Sequence, residues 1–565
     1  MTTKEPDVYD VYQRLGSILK EIYGDDLGGS HTTLFAELIE KTSIPPKTHK
    51  VSEQDVVLIA YGDHIAEEGK SPLQTLRTFS KTHFDGLLNS IHVLPHYPST
   101  SDDGFAVSDY MSVDPELGSW EDMDQLGKDF HVMFDAVFNH TSVSHEWFQK
   151  FLAGDPKYKD YYIALDKDTD VSTVTRPRAH PLLTAFETPT GTKHVWTTFS
   201  TDQVDLNFAS PDVLYDILVT LLEYVKHGAD LIRFDAVAYV WKELGTNSIH
   251  HAKAHAIVKC MREVLRLTAP WVLLITETNV PHEENISYFG NGHDEAQLVY
   301  NFALPPLMLH SIQTGDTTTL TKWASTLKTP SDETYFYNFI ASHDGVGVRP
   351  VTGILQDEEI EAMCVRTLAR GGRLGMKTNP DGSEGVYEMN ISYFNAVADP
   401  EAPRNIQVDQ FIISQAIMLS MQGIPGIYMH SLLGSTNWQE GVEQTGRNRT
   451  INREKLQVEK VERELQDPKS LRKQIFDRYS HLLKIRTGES AFSPLAFQTV
   501  RDYGPHVFAV ERVSQDKKER ILAVHNVTAE PVPITLDAEL HDLISDQEYT
   551  KTITLSAYQT VWLKG

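Results

Sequence analysis

The sequence predicts an α/β fold, a (β/α)8 barrel with inserted loop subdomains and a C-terminal antiparallel β-domain, and three observations carry that prediction. Eight short apolar runs recur along the middle of the chain, rich in β-branched and aromatic residues and without polar alternation, as strands buried on both faces are. Amphipathic stretches, 212–227 and 252–267 among them, separate several runs, as helical crossovers between parallel strands require. Most runs end in a polar or carboxylate-bearing residue, and a barrel assembles its chemistry at the C-terminal ends of its strands. An open doubly wound sheet is the other arrangement this pattern allows.

Residues 1–50 read as an N-terminal helical extension, with LFAELIEK its most amphipathic part and SIPPK its breaker. The barrel spans 51–488. Its runs begin at Val56 (VVLIAYGD), Ile91 (IHVLPHYP), His131 (HVMFDAVFNH), Ala229 (ADLIRFDAV), Trp271 (WVLLITETN), Gln297 (QLVYNFAL), Tyr335 (YFYNFIASHDG) and Gly423 (GIPGIYMHSLLG). About 90 residues separate the third run from the fourth and the seventh from the eighth, more than one crossover uses. Insertions are therefore expected at 142–208 (a B domain) and 346–410 (a B′ domain with an acceptor loop), both over the barrel mouth. The charged segment 453–475 reads as a solvated helix and its loop. From 489 to 565, short alternating segments such as VFAVERV and RILAVHNV read as a C-terminal β-domain.

Acidic residues outnumber basic ones 78 to 51, a net charge of −27 over 565 residues. So negative a surface repels phosphate backbones and anionic headgroups, which argues against nucleic-acid and membrane partners. The two cysteines, Cys260 and Cys364, form no disulfide framework or zinc spacing. With no apolar leader in MTTKEPDVYD and no run near the roughly 20 apolar residues of a membrane span, a reducing cytoplasmic setting fits. His250, His251 and His255 include an i,i+4 pair, but the pattern supplies no third ligand, so a solvated or capping role is expected. The glycine-rich GGS and GGRLG lack the context of a nucleotide loop. No metal and no cofactor is expected, and the oligomeric state stays open between monomer and homodimer.

The chemistry lies in where the carboxylates fall. Asp135 and His140 end the third run, Arg233 and Asp235 the fourth, Glu277 the fifth, and His343 and Asp344 the seventh. Cleaving an acetal takes two carboxyl groups, one charged at the anomeric carbon and one protonated at the leaving oxygen. Asp235 lies two residues after Arg233 on a strand, so both face one side and the guanidinium can hold the carboxylate ionised as a nucleophile. Glu277 ends the apolar run WVLLIT, where desolvation raises its pKa towards a general acid's. Asp344 with His343 suits binding of sugar hydroxyls and stabilisation of positive charge.

DAVFNH (135–140), LIRFDAV (231–237), TETN (276–279) and ASHDG (341–345), with QVDLN (203–207), resemble in order and spacing the signature regions of glycoside hydrolase family 13, the α-amylase family. The resemblance implies Asp235 as nucleophile, Glu277 as acid/base and Asp344 as transition-state stabiliser, with Arg233, His140 and His343 around the glucosyl unit. YPSTSDDGF, TRPRAHPL, FALPPLMLHS, YEMNISYFNA and RNRTINR are similar to the sucrose phosphorylase subfamily. That implies Asp102, Phe105 and Arg449 holding the glucosyl ring, Tyr239 in an apolar platform, and Arg178 and Tyr387 near phosphate or acceptor. The substrates implied are a small glucoside, inorganic phosphate and α-glucose 1-phosphate. Some amylase-family relatives bind calcium near the position of Asn139; this branch is not expected to.

An acidic protein that binds phosphate needs a local cationic patch, and Arg178, Arg373 and Lys377 lie in the two insertions. The acceptor loop departs from sucrose phosphorylases at Gly385, Val386, Tyr387 and Glu388, and so does Asn279, where they carry a histidine. TETNVPHEENISYFG (276–290), together with the N-terminal extension, more closely resembles the glucosylglycerate and glucosylglycerol phosphorylases of the same subfamily. The acidic surface, suited to a saline cytoplasm, leans the ranking to glycerol as acceptor, then glycerate, then fructose or its phosphate. A hydrolase or transglucosidase with the same three acids, and a non-catalytic binding barrel, are the rival classes.

Overall fold

The computed structural model describes residues 8–379 and 383–565. Residues 380–382, within the expected insertion 346–410, and the N-terminal MTTKEPD lie outside them. All eight runs form strands: β1 (Val57–Ala60), β2 (Ser90–Val93), β3 (His131–Ala136), β4 (Ala229–Phe234), β5 (Leu273–Thr276), β6 (Leu298–Tyr300), β7 (Tyr335–Asn338) and β8 (Ile424–Tyr428). They close in sequence order, every pair parallel, with β8 returning to β1. The fold is thus the barrel and not the open sheet. Closure follows from composition: β1, β2, β4, β6, β7 and β8 are buried at every position, and a strand apolar on both faces needs side chains inside the barrel and helices outside it.

Helix α1 (Val8–Lys41) bends at Gly24, whose φ of 81° an L-residue rarely adopts. It buries Leu15, Leu19, Ile22 and Phe35 along the crossover helices α2 (Pro211–Lys226) and α3 (Ala252–Thr268). His251 caps α3 by accepting from the Lys253 N–H, and His255 pairs with Glu295 at 2.8 Å, which gives two of the clustered histidines structural partners. After β3 the chain lays a three-stranded sheet, Ala164–Leu165, Leu183–Thr188 and Gly191–Trp196, with its own small core at Val174, Leu182 and Trp196. After β7 a second three-stranded sheet joins Val346–Gly347, Glu384–Asn390 and Arg373–Thr378. The helix Arg404–Ser420 runs through residue 410, so the last crossover begins before that expected boundary.

The C-terminal residues form a six-stranded antiparallel sheet and a separate two-stranded one. Two buried arginines tie this unit to the barrel. Arg486 donates to the carbonyls of Glu53, Leu419, Gly423 and Phe492, and Arg512 to those of Ser420 and Ser493. Among the described residues no helix is long and apolar enough to cross a membrane.

Replacing Arg486 by Leu leaves four carbonyls without their donor. The variant is expected to lose about 3 kcal/mol, read as a lower urea midpoint, with turnover intact in the folded fraction; an unchanged midpoint would refute the tie.

Candidate active site

The strand ends converge as the pattern requires, and the register explains the core of the site. Arg233 on β4 stands directly beside Asp135 on β3. Its guanidinium contacts the Asp135 carboxylate and, through Nη1 at 2.9 Å, that of Asp235. Asp135 in turn accepts from His92 Nε2 at 2.6 Å. Burial opposes ionisation of Asp135, but Arg233 and His92 hold its pKa down at about 2. One cation therefore serves two acids, where the sequence reading gave Arg233 to Asp235 alone.

Burial pushes Asp235 well above the usual carboxylate range; Arg233 opposes this, and Glu277, Asp135 and Asp344 add to it. Burial raises Glu277 too. Both line one cavity, and burial disfavours charging the two at once. Of the two, only Asp235 touches the Arg233 guanidinium directly, a contact that favours the charge on Asp235. Glu277 Oε2 accepts from the N–H of Ala236 at 3.1 Å, and Ala236 takes a left-handed φ of 51° to present that group. Strain of this kind persists where the surroundings fix a functional geometry.

The third acid differs. Burial opposes the charge on Asp344, yet Arg449, Arg453 and Arg233 lower its pKa, so it stays ionised. Arg449 bridges Asp344 (2.5 Å) and Glu388, which it grips at 2.8 and 2.9 Å. Four residues on, Arg453 donates to the His343 carbonyl at 2.8 Å and pairs with Asp103. His343 stacks on Phe105, ring centres 5.0 Å apart, and His140 Nε2 lies 2.8 Å from the Phe105 carbonyl oxygen. Asp102 and Asp103 both have positive φ, 54° and 49°, and Gly104 follows because a Cβ there would meet the Pro95 carbonyl at 2.7 Å.

Asp102, Phe105, His140, Asp235, Glu277, His343, Asp344 and Arg449 line one cavity at the strand C-termini. Arg178, Tyr239, Asn279 and Tyr387 line it as well; the Arg178 guanidinium lies 4.8 Å from the centre of the Tyr387 ring. Arg233 sits behind Asp235, and Glu388 faces a neighbouring cavity with Arg449. Lys377 lines neither, and Arg373 is spent on the carbonyls of Gly371 and Gly372 and on Gln439. Of the three expected insertion cations only Arg178 reaches the cavity. The sequence reading missed Phe199, Gln203, Thr278 and Arg453, although QVDLN and RNRTINR contain Gln203 and Arg453. Beside Asn139, the buried Lys242 ammonium lies 2.8 Å from the amide oxygen and 2.9 Å from Asp205. A fixed monovalent cation thus fills the position considered above for calcium.

An ionised carboxylate beside a protonated one, with a further anion and hydroxyl-binding groups around them, can cleave and re-form a glycosidic bond. The alpha amylase catalytic domain family matches residues 87–369, half of the chain. A glucosylglycerate phosphorylase of Spirochaeta thermophila is 48% identical over 524 residues, 91% of this chain and 89% of that protein. A glucosylglycerol phosphorylase of Marinobacter adhaerens is 29% identical, covering 77% and 88%. The crystal structure of a sucrose 6F-phosphate phosphorylase from Thermoanaerobacter thermosaccharolyticum superposes with a TM-score of 0.75, covering 89% of this chain and 99% of that one, at 22% identity. The chain belongs to the α-amylase family, on the branch that these phosphorylases occupy.

Ala236→Gly, which keeps the left-handed backbone open, is expected to retain most turnover. Ala236→Val, which penalises it, should lower turnover about tenfold or more at similar yield of folded protein; equal rates for the two would refute the role of the strained N–H.

Proposed function

We propose that this chain is a retaining glucoside phosphorylase that converts 2-O-α-glucosylglycerate and inorganic phosphate into α-glucose 1-phosphate and glycerate. The carrying observation is the identity gap between the two relatives, 48% to the glucosylglycerate phosphorylase and 29% to the glucosylglycerol phosphorylase. It corrects the ranking that put glycerol first. That ranking used surface acidity, and a surface charge carries no information about a cavity wall.

The site supports an anionic acceptor. Among the described residues no carboxylate pairs with Arg178, which donates to the Pro177 carbonyl at 3.3 Å. It stands at the cavity beside Tyr387, where a glycerate carboxylate and a phosphate would each find a guanidinium. In the proposed cycle Asp235 attacks the anomeric carbon while Glu277 gives its proton to the departing glycerate oxygen. The C–O bond to glycerate breaks as the ester to Asp235 forms. A phosphate oxygen then displaces Asp235 from the opposite face, Glu277 regains a proton from phosphate, and net configuration is retained.

With α-glucose 1-phosphate as donor, D-glycerate should release phosphate faster than glycerol or fructose; glycerol as the fastest acceptor would overturn the acceptor assignment. Free glucose as the main product without phosphate would overturn the phosphorylase reading.

The pH dependence follows from the coupling of the two acids. Burial raises both, so activity is lost as pH falls through the lower pKa of the Asp235–Glu277 pair, where both bind protons, and again as pH rises through the higher one, where neither does. With α-glucosyl fluoride, whose leaving group needs no acid, Glu277→Gln should abolish the alkaline limb and keep the acid one. Persistence of the alkaline limb would assign it elsewhere.

A further inference from the structure

A second cavity of about 420 Å³ adjoins the catalytic one, and the two share Asp102, Arg178 and Arg449 in their walls. It opens to solvent at the exposed Arg447 and carries four arginines: Arg178, Arg447, Arg449 and Arg453. Two of these are neutralised from within. Arg449 is held by Glu388 and Asp344, and Arg453 by Asp103. Neither Arg178 nor Arg447 has a carboxylate partner among the described residues. Asp103, whose charge Arg447 feels, is already engaged by Arg453. In addition Arg453, 3% exposed, leaves its Nη2 buried without a hydrogen-bond partner.

We infer that this second cavity is an antechamber for a small oxyanion, through which the anionic co-substrate, phosphate in one direction and glycerate in the other, reaches the catalytic pocket. A second sugar suits the walls less well. The aromatic rings here are Phe199 and Tyr387, and the Arg178 guanidinium already lies over both, at 5.9 and 4.8 Å from the ring centres, which takes a face from each. A donor-rich chamber with two unneutralised guanidinium groups has the chemistry of an oxyanion site.

The need for it comes from the whole protein. A net charge of −27 repels phosphate at long range, and a cleft lined by the opposite sign raises the local anion concentration and the entry rate. The cycle also needs a second anion to enter as the first leaves, and an adjoining chamber shortens that exchange. The inference rests on the phosphorylase reading above.

Arg447 touches neither reacting atoms nor the catalytic cavity, so its variants isolate the antechamber. Arg447→Ala is expected to lower kcat/KM for phosphate about threefold to tenfold, and Arg447→Glu more, both with weaker salt dependence than the wild type. The kcat at saturating phosphate and the KM for the glucoside should stay unchanged. In the synthetic direction the same variants should raise the KM for glycerate but not for glycerol, which tells the carboxylate source from the phosphate source. Unchanged kcat/KM and salt slope in both variants would overturn the inference.

A readout independent of turnover is the thermal shift given by inorganic phosphate against chloride at equal ionic strength. It should be smaller in Arg447→Glu than in the wild type, and an equal shift would overturn the inference. A wild type that consumes glucoside without phosphate contradicts the proposed function instead, and the thermal shift then decides the antechamber by itself.

Discussion

The guanidinium of Arg233 is buried between Asp135 and Asp235, and the arrangement of charge in the site depends on how it is divided. If Asp235 had it alone, Asp235 would be an ordinary ionised acid with little reason to share a proton. Asp135, fixed by His92 and held near a pKa of 2, takes part of that charge. What remains keeps Asp235 the charged member of a pair that is otherwise too deeply buried to carry two charges. Two carboxyl groups in one cavity thereby stand in different electrostatic surroundings.

The barrel makes this division possible. Register between β3 and β4 sets Arg233 beside Asp135, and period-two alternation sends Asp235 to the same side as Arg233. The left-handed Ala236 then turns the backbone so that its N–H meets Glu277 from the next strand. Asp344 draws chiefly on Arg449 and Arg453, with a smaller share from Arg233, and the first two also line the adjoining cavity. The carboxylates of the site and the walls of the adjoining cavity are thus connected through a few side chains.

Much of this was legible in the sequence. The eight strands were, because runs buried on both faces carry an unbroken apolar signal, and so were the acids at their ends. Seven predicted site residues, His140, Asp235, Tyr239, Glu277, Asn279, His343 and Asp344, meet in one cavity for the same reason: motifs fixed to strand ends inherit the strands' geometry. The division of Arg233 was not legible, since it needs the register between two strands nearly a hundred residues apart. Nor was the fate of the insertion cations. Arg373 and Lys377 lie on a strand whose direction no local pattern sets, and only Arg178 reaches the cavity. The acceptor was not legible either, because net charge describes the whole surface and not the cavity wall.

The central claim is that Asp235 carries the charge and Glu277 the proton. Infrared difference spectroscopy tests it most directly through the stretch of a buried protonated carboxyl group near neutral pH. This band is expected in the wild type, is expected to survive in Asp235→Asn and to disappear in Glu277→Gln. A band that survives in Glu277→Gln and vanishes in Asp235→Asn would contradict it.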